Sequence, residues 1–196
     1  MLQASPAPVK VNLGCGRRIR SGWVNVDWTK LPGVDVIANL DRCSTQPLPF
    51  EESSVDEILL SHVIEHIFDP LSLMQEVYRI AKPDSYCTIR VPHGANDEAW
   101  EDQTHKRVYF PGSFGYFSQP YYWKADYGYR GDWQVEVIRL TVDRKFNGTN
   151  GKQFLSRINS ERNLVNEMVA VLRAVKPMRR TDKLLQTAPE IRIETP

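Results

Sequence analysis

The sequence contains no long hydrophobic run. None approaches the roughly 20 apolar residues that a helix needs to cross a bilayer, and the N-terminal segment MLQASPAPVK has no apolar core of the kind found in export signals. Cysteines are also scarce: Cys15, Cys43 and Cys87 are an odd number at scattered spacings, which argues against a disulfide framework. We therefore expect no membrane partner and a reducing, cytoplasmic location.

Net charge is nearly absent as well. The formal charge is +1 at pH 7 although 25% of the residues are charged, so we expect no general attraction to nucleic acid or to an anionic membrane. We interpret a basic stretch at residues 176–183 as a solvated connection rather than an RNA-binding site. With 196 residues and 41% hydrophobic content, the chain is long enough to form one domain with a sizeable core.

Strand and helix patterns alternate through the first half of the chain. Helical spacing covers residues 70–81, with Asp69 as the N-cap and Pro70 at the first helical position. The segment 56–61 is almost continuously apolar, as strands of a parallel sheet covered on both faces are. This alternation predicts an open α/β sheet, with strands at residues 9–13, 23–26, 34–37, 56–61 and 86–91.

The pattern changes after Pro92. Residues 109–133 hold 11 of the chain's 20 aromatic residues, and we expect them either to pack a loop-rich insert or to form a wall for a flat ligand. Beyond this insert the sequence predicts a strand at 133–140, a turn at Asn147-Gly148, a helix at 160–175 and a last strand at 189–194.

Two glycines, Gly14 and Gly16, directly follow the first predicted strand and let the backbone approach a ligand. A dinucleotide site needs a third glycine and an acid about 20 residues further on, but Ile19 takes the third place and Asp27 comes only 11 residues after Gly16. The short interval leaves little room for a helix whose N-terminus could bind a pyrophosphate. A ligand with a ribose and no phosphates, held by Asp27, fits better; a plain strand-to-loop turn is the alternative.

Two longer runs contain these glycines and the fourth strand. They read V-N-L-G-C-G-x5-G-W-V-N-V-D and L-P-F-x-x-x-S-V-D-E-I-x-x-S-H-V-I-E-H. From about residue 9 to 92 the chain resembles class I S-adenosylmethionine-dependent methyltransferases of type 11, and T-H-K-R-V-Y-F at 104–110 resembles a loop of related enzymes. The resemblance implies a single methyltransferase domain over residues 1–196 with an aromatic-rich insert at about 93–132. It implies a Rossmann-like, mostly parallel seven-stranded sheet with its last strand antiparallel and a shortened first crossover.

The resemblance also implies a cofactor, S-adenosylmethionine, with S-adenosylhomocysteine as the product. Residues 14–16 correspond to the turn around the methionine part, Asp27 to the ribose ligand, and Asn39-Leu40 to the step that holds adenine. Ser61 and His62 correspond to the strand end where sulfonium and acceptor meet. The implied cofactor-binding residues are therefore Asn12, Gly14, Cys15, Gly16, Asp27, Asn39, Leu40, Ser61 and His62.

Asparagine replaces a common acid at two of these positions. Asn12 stands at the start of the glycine motif and Asn39 at the adenine step. The amide oxygen of Asn39 can still accept a hydrogen bond from the adenine amino group, but without charge assistance. We therefore expect the cofactor to bind more weakly than it would to an acid, unless Asp41 compensates.

Residues 62–66 spell H-x-x-E-H, the motif of one class of zinc proteases. Those enzymes carry the motif on a helix, which places both histidines on one face. Here it follows a buried strand directly, so a third ligand would have to come from elsewhere, such as His93 or His105. We expect no metal, and interpret Glu65 as an acid near a helix N-terminus and His66 as a packing histidine.

Methyl transfer requires an aligned in-line displacement in a dry pocket, helped by a base when the acceptor is a hydroxyl or an amine. Histidine suits this role near neutral pH. His105, in the insert, is the preferred acceptor-side base, and His62 is the second catalytic candidate. We expect a small acceptor, a sugar or another hydroxyl; the alternatives are an RNA or protein methyltransferase and a non-catalytic protein that retains the fold.

Overall fold

The computed structural model describes residues 7–146 and 151–195. Residues 1–6 of the N-terminal segment and the predicted turn at Asn147-Gly148 lie outside this part of the chain. Strands β1 to β8 are Lys10–Leu13, Val24–Asp27, Val36–Ile37, Val55–Ser61, Ala81–Pro92, Trp133–Val142, Val165–Ala174 and Glu190–Glu194. Helices α1 to α3 are Pro70–Ile80, Glu98–Glu101 and Gly151–Ile158. Short 3-10 helices occur at Leu40–Arg42, Ile64–His66, Pro111–Phe117, Gln119–Trp123, Arg144–Phe146 and Lys183–Leu185.

All eight strands form one sheet in the order β3-β2-β1-β4-β5-β7-β6-β8. Strands β1 to β5 are parallel to one another, and β7 runs antiparallel to both β5 and β6. The predicted Rossmann-like, mostly parallel sheet is confirmed. Its details differ. The described residues form eight strands rather than seven, the antiparallel strand is β7, and the last of the eight, β8, pairs parallel to β6.

The predicted helix at residues 160–175 is wrong, because residues 165–174 form β7. A spacing of four residues, as between Met168 and Leu172, occurs both on one face of a helix and on one face of a strand. The buried residues Met168, Ala170, Leu172 and Ala174 alternate, which is the strand period. Strand β5 pairs with residues 167–173 and β6 with residues 165–174, so this segment has a strand on each side.

Helix α1 agrees with the sequence prediction. The carboxylate of Asp69 accepts hydrogen bonds from the amide and the hydroxyl of Ser72, and Pro70 occupies the first turn, where its missing N–H costs nothing. The buried face of the helix lies in the core, and it contains Leu73, Met74, Val77 and Ile80. Helix α1 begins just beyond the end of β4, so it fixes the chain that leaves this strand.

The first crossover is short, as expected. Residues 14–23 contain turns and no helix. The side-chain oxygen of Asn25 accepts from Arg20 N and from Asn12 Nδ2, which ties this loop to β1 and β2.

A parallel sheet is ordinarily covered by helices on both faces. Here a shallow depression on one sheet face is lined by charged side chains, among them the ion pair of Arg90 with Glu167. No helix in the described residues is long and apolar enough to span a membrane.

Candidate active site

The carboxyl ends of β1, β2 and β4 enclose a cavity of about 610 Å³. Its floor is the glycine turn after β1, its walls follow β2, β3 and β4, and the loop 104–107 closes one side. Small-molecule sites typically measure roughly 300–1,000 Å³, so the volume suits a nucleoside-sized ligand. The lining residues are Gly14, Asp27, Trp28, Ala38, Asn39, Leu40, Asp41, His62, Val63, His66, Ile67, Phe68, Thr104 and Lys106.

Asp27 is one of two acidic residues that line this cavity, the other being Asp41. Asp27 is 7% exposed, its Oδ2 accepts from the amide of Gly16 at 2.8 Å, and its Oδ1 accepts from the amide of Thr29 at 2.9 Å. An ionised carboxylate offers about four lone-pair positions. The two backbone bonds therefore hold the side chain in place and leave each oxygen able to accept from a ribose hydroxyl.

Asn39 and Leu40 line the cavity on the side where the adenine step was predicted. The side-chain oxygen of Asn39 accepts from the amide of Asp41 at 3.0 Å and caps the 3-10 helix Leu40–Arg42. Asp41 in turn accepts from the amide of Phe68 at 2.8 Å. The cap fixes the backbone of this segment, and a second lone pair on the amide oxygen of Asn39 can accept from a ligand.

Several predicted cofactor residues do not line the cavity. Asn12 is buried in the sheet, where its side-chain amide donates to Arg18 O and Asn25 Oδ1, so its part is to hold the β1–β2 loop. The thiol of Cys15 is buried, and burial raises its pKa. The amide of Gly16 donates a hydrogen bond to Asp27 Oδ2. Ser61 lies at the end of β4 but does not line the cavity. Gly14, Asp27, Asn39, Leu40 and His62 are the predicted residues that the structure brings together.

Two exposed aromatic residues at the cavity were missed by sequence reasoning. The side chains of Trp28 and Phe68 are 73% and 67% exposed although both line the cavity. Large apolar side chains left this exposed beside a cavity are suited to stack on a planar ligand. The place of Trp28 at the cavity could have been predicted, because Trp28 directly follows Asp27 and hence lies at the same strand end.

His62 sits at the end of β4 with a positive φ of 55°, a conformation that costs free energy for a residue other than glycine. Its Nε2 lies 2.8 Å from Glu167 Oε1, while its Nδ1 lies 3.4 Å from Glu65 Oε1, too far for a normal hydrogen bond. These carboxylates, Glu167 first, raise the pKa of His62 to about 9 against the opposing effect of burial. The raised pKa favours the protonated ring at neutral pH, which does not suit a base, and the catalytic role of His62 stays a prediction.

The insert forms a second, larger cavity of about 1,100 Å³ next to the first, here called the aromatic groove. Some aromatic residues of the insert, such as Phe114 and Phe117, are buried in the core, while others, such as Tyr116 and Tyr127, remain exposed at the groove. Core packing therefore holds for some of these residues, while a ligand wall stays a prediction for the exposed ones. His105 lines the groove, and Lys106 lines both cavities.

The loop 104–107 joins the two cavities by docking on the 3-10 helix Ile64–His66. The amides of Lys106 and Arg107 donate to the carbonyl of Glu65 at 2.7 Å and 3.2 Å. This docking brings the rings of His66 and His105 to a centroid separation of 4.8 Å. The predicted base His105 thus lies on the acceptor side but in contact with a second histidine that faces the cofactor cavity.

Comparison with known proteins shows which family the residues of this cavity resemble. The family model for a methyltransferase domain of type 11 matches residues 12–89. The match runs from strand β1 into strand β5 and includes helix α1. This match covers the glycine turn, Asp27, Asn39 and His62, and it confirms the predicted enzyme class with its cofactor, S-adenosylmethionine. No curated protein matches the chain.

Solved structures of such methyltransferases confirm the fold. An S-adenosylmethionine-dependent methyltransferase from Archaeoglobus fulgidus is 17% identical with a TM-score of 0.58, over 85% of this chain and 86% of that one. A chain from the complex of the Haloferax volcanii Trm112 methyltransferase activator with a methyltransferase is 16% identical with a TM-score of 0.54, over 86% and 83%. A protein from Sulfolobus solfataricus described as a type 11 methyltransferase is 17% identical with a TM-score of 0.50, over 86% and 85%.

The residues of the smaller cavity fit S-adenosylmethionine. Gly14 has no Cβ to obstruct the turn, Asp27 keeps acceptor capacity for the ribose, and Trp28 and Phe68 offer flat apolar surface for the adenine. The cavity has no helix N-terminus from the first crossover, so it lacks the dipole that would hold a pyrophosphate. The methyltransferase domain therefore has a cavity for a nucleoside without phosphates.

Proposed function

We propose that this methyltransferase transfers the methyl group of S-adenosylmethionine to a small acceptor held in the aromatic groove. The observation that supports it is the contact between the two cavities: His66 and Lys106 line the cofactor cavity, while His105 and again Lys106 line the groove. An acceptor in the groove and a cofactor in the cavity would meet there. In-line displacement needs such an alignment and little else from the protein.

The groove favours a flat, largely neutral acceptor such as a sugar or a phenol. Exposed rings, among them Trp100, Tyr116 and Tyr127, offer stacking surface with polar edges. The charges of Lys106 and Arg107 are accompanied by acidic residues in the same lining, Asp69 and Asp102. A mixed lining of this kind favours a small acceptor over RNA, which would need a basic surface.

His105 is the proposed acceptor-side base. Its Nδ1 lies 3.0 Å from the carbonyl of Ala99, which can only accept, so Nδ1 donates there and Nε2 keeps a lone pair. Asp102 Oδ2 lies 3.7 Å from Nε2 and would stabilise the ring once it has taken a proton. A base of this kind removes the proton of an acceptor hydroxyl as the methyl group arrives. The hydrogen bond of His62 to Glu167 fixes its ring at the wall of the cofactor cavity, so we assign His62 a role in positioning the cofactor.

Turnover with a panel of glycosides and phenols tests the proposal, with calorimetry for S-adenosylhomocysteine beside it. We expect His105→Ala to lower kcat by on the order of 100-fold, the usual contribution of a general base, and to leave cofactor affinity unchanged. Glu101→Gln, an exposed change near the same loop, is the control that should leave both unchanged. Full activity of His105→Ala would contradict the base, and exclusive methylation of RNA or protein would contradict the acceptor class.

A further inference from the structure

Glu65 is a buried carboxylic acid side chain without a hydrogen-bond partner. The residue is 1% exposed, and neither side-chain oxygen accepts a hydrogen bond from the described residues. The nearest group is the ring of His62, whose Nδ1 lies 3.4 Å from Glu65 Oε1, an ion-pair contact that is too long for a normal hydrogen bond. Buried polar atoms are almost always hydrogen-bonded, so a carboxylate whose nearest partner is this one long contact can accept a further ligand.

Two imidazoles lie beside this carboxylate, and both keep a free lone pair. The hydroxyl of Thr104 donates to Asp102 Oδ1 at 2.6 Å and so accepts from His66 Nδ1 at 3.0 Å, which places the His66 proton on Nδ1. His105 Nδ1 likewise donates to Ala99 O. Nε2 of each ring is left as an acceptor, that of His105 lying 3.7 Å from Asp102 Oδ2, a further carboxylate beside the site. Metal-binding histidines are oriented in this way, through a hydrogen bond from the other ring nitrogen.

We propose that Glu65, His66 and His105 bind a divalent transition-metal ion. One oxygen of Glu65 and one ring nitrogen of each histidine lie within 4.8 Å of one another. Zinc bonds of about 2.0–2.2 Å would bring these donors to about 3.4 Å apart, so the side chains need to close by about an ångström. Two imidazoles and one carboxylate with open positions suit Zn²⁺, Co²⁺ or Fe²⁺ rather than the hard ions Mg²⁺ and Ca²⁺.

The loop 104–107 pre-arranges this site. Its amide bonds to the carbonyl of Glu65 hold His105 over the short 3-10 helix that contains Glu65 and His66. The donors thus differ from the protease pattern of H-x-x-E-H, because His62 points to Glu167 and His105 comes from the insert. His93, the other third ligand considered from sequence, packs against Phe110 instead.

The position of the ion would serve the proposed reaction. His66 lines the cofactor cavity and His105 lines the aromatic groove, so an open coordination position between them is accessible to an acceptor hydroxyl. A bound ion lowers the pKa of such a hydroxyl. This part rests on the proposed function: in the loaded protein His105 would hold the ion, and the hydroxyl proton would pass to solvent water as the methyl group is transferred.

Cobalt binding tests the site without substrate or cofactor. Untagged, chelator-treated protein is titrated with Co²⁺ and followed by visible absorption and calorimetry. We expect one ion per chain, with the visible bands of a nitrogen- and oxygen-ligated Co²⁺ centre. His66→Ala and His105→Ala should each weaken binding on the order of 100-fold, Glu65→Gln should do the same with less change of shape, and Glu101→Gln should bind like the parent.

The outcomes separate this inference from the proposed function. Absence of Co²⁺ binding to the parent protein, or equal binding by both histidine variants with native-like thermal unfolding, would overturn the metal site. If the parent binds S-adenosylhomocysteine but no Co²⁺, the metal site fails and the methyl-transfer proposal stands. If it binds Co²⁺ through these residues but no S-adenosylhomocysteine, the metal site stands and the methyl-transfer proposal fails. Turnover that survives exhaustive chelation would contradict the part of the ion in the reaction, with His105 then acting as the base.

Discussion

Val63 packs directly against Gly14: a Cβ built on Gly14 would lie 2.5 Å from a methyl group of Val63. The φ of Gly14 is +65°, and that of Gly16 is +50°, but a Cβ on Gly16 would meet nothing within 4 Å. The two glycines look equivalent in the sequence motif, but they have different roles in the structure. Gly14 is needed for close packing below the cofactor cavity, whereas Gly16 is needed for its backbone conformation.

We expect Gly14→Ala to destabilise the protein by about 2–4 kcal/mol, because the strained backbone and the overpacked Val63 both contribute. Gly16→Ala should cost about 1 kcal/mol, from the backbone alone. Adding Val63→Ala to Gly14→Ala should make the effect of the glycine change smaller. Urea unfolding measures all of these, and equal losses for the two glycine variants would contradict the packing assignment.

Asp27→Asn should weaken binding of S-adenosylhomocysteine by about tenfold or more, since hydrogen bonds to a charged acceptor contribute about 1.5–3 kcal/mol. The variant keeps the shape of the side chain. Asp35→Asn is a matched control: Asp35 also accepts a backbone amide, that of Asn25 at 2.7 Å, but lies outside the cavity lining. Calorimetry should show normal affinity for the control; unchanged affinity for Asp27→Asn would refute the ribose assignment.

Trp28→Ala and Phe68→Ala should each lower cofactor affinity by about tenfold, the usual loss of one aromatic surface stacked on a base. Both side chains are largely exposed, so the free energy of unfolding should change by no more than about 0.5 kcal/mol. Leu184→Ala, a change at an exposed residue outside both cavities, is the control. Fluorescence titration would count against stacking if affinity stayed at the parent level.

His62 makes stability depend on pH. Its pKa is about 9 in the folded protein and 6.5 in the unfolded chain, so protonated His62 stabilises the fold fully below pH 6.5. This contribution is lost as the pH rises through 9. Because the side chain is partly exposed, solvent screening reduces the size of the effect.

The free energy of unfolding of the parent protein relative to His62→Gln should therefore fall between pH 6.5 and pH 9.5. Urea unfolding at several pH values measures this difference. A difference that stays constant, or that grows with pH, would show that Glu167 does not stabilise the protonated ring.

Sequence reasoning located the parts of the fold that depend on local pattern. Strands β1 to β5 and helix α1 were predicted because apolar runs, the Asp69 cap and Pro70 act within a few residues. The strand β7 was missed because its spacing suits two periods, and only pairing with β5 and β6 decides between them. Asn12 was assigned to the cofactor by its place in the motif, although its partner is Asn25 across the β1–β2 pair.

The residues of the candidate site also divide into those that local sequence pattern predicts and those that depend on contacts between distant parts of the chain. Gly14, Asp27 and His62 could be predicted because the ends of parallel strands meet at one edge of the sheet. The contact of His66 with His105 could not, because it depends on the amides of a loop 40 residues later docking on Glu65. The charge of His62 depends on Glu167, more than 100 residues away on β7, a strand that the sequence pattern assigned to a helix.

Calorimetric titration of the parent protein with S-adenosylhomocysteine, and then with NAD⁺, measures whether the smaller cavity binds a nucleoside without phosphates through Gly14, Asp27 and the Asn39-Leu40 segment. We expect one S-adenosylhomocysteine per chain, with affinity reduced by Asp27→Asn and no competition from NAD⁺. No heat of binding with S-adenosylhomocysteine, or its displacement by NAD⁺, would show that the cavity is not such a site.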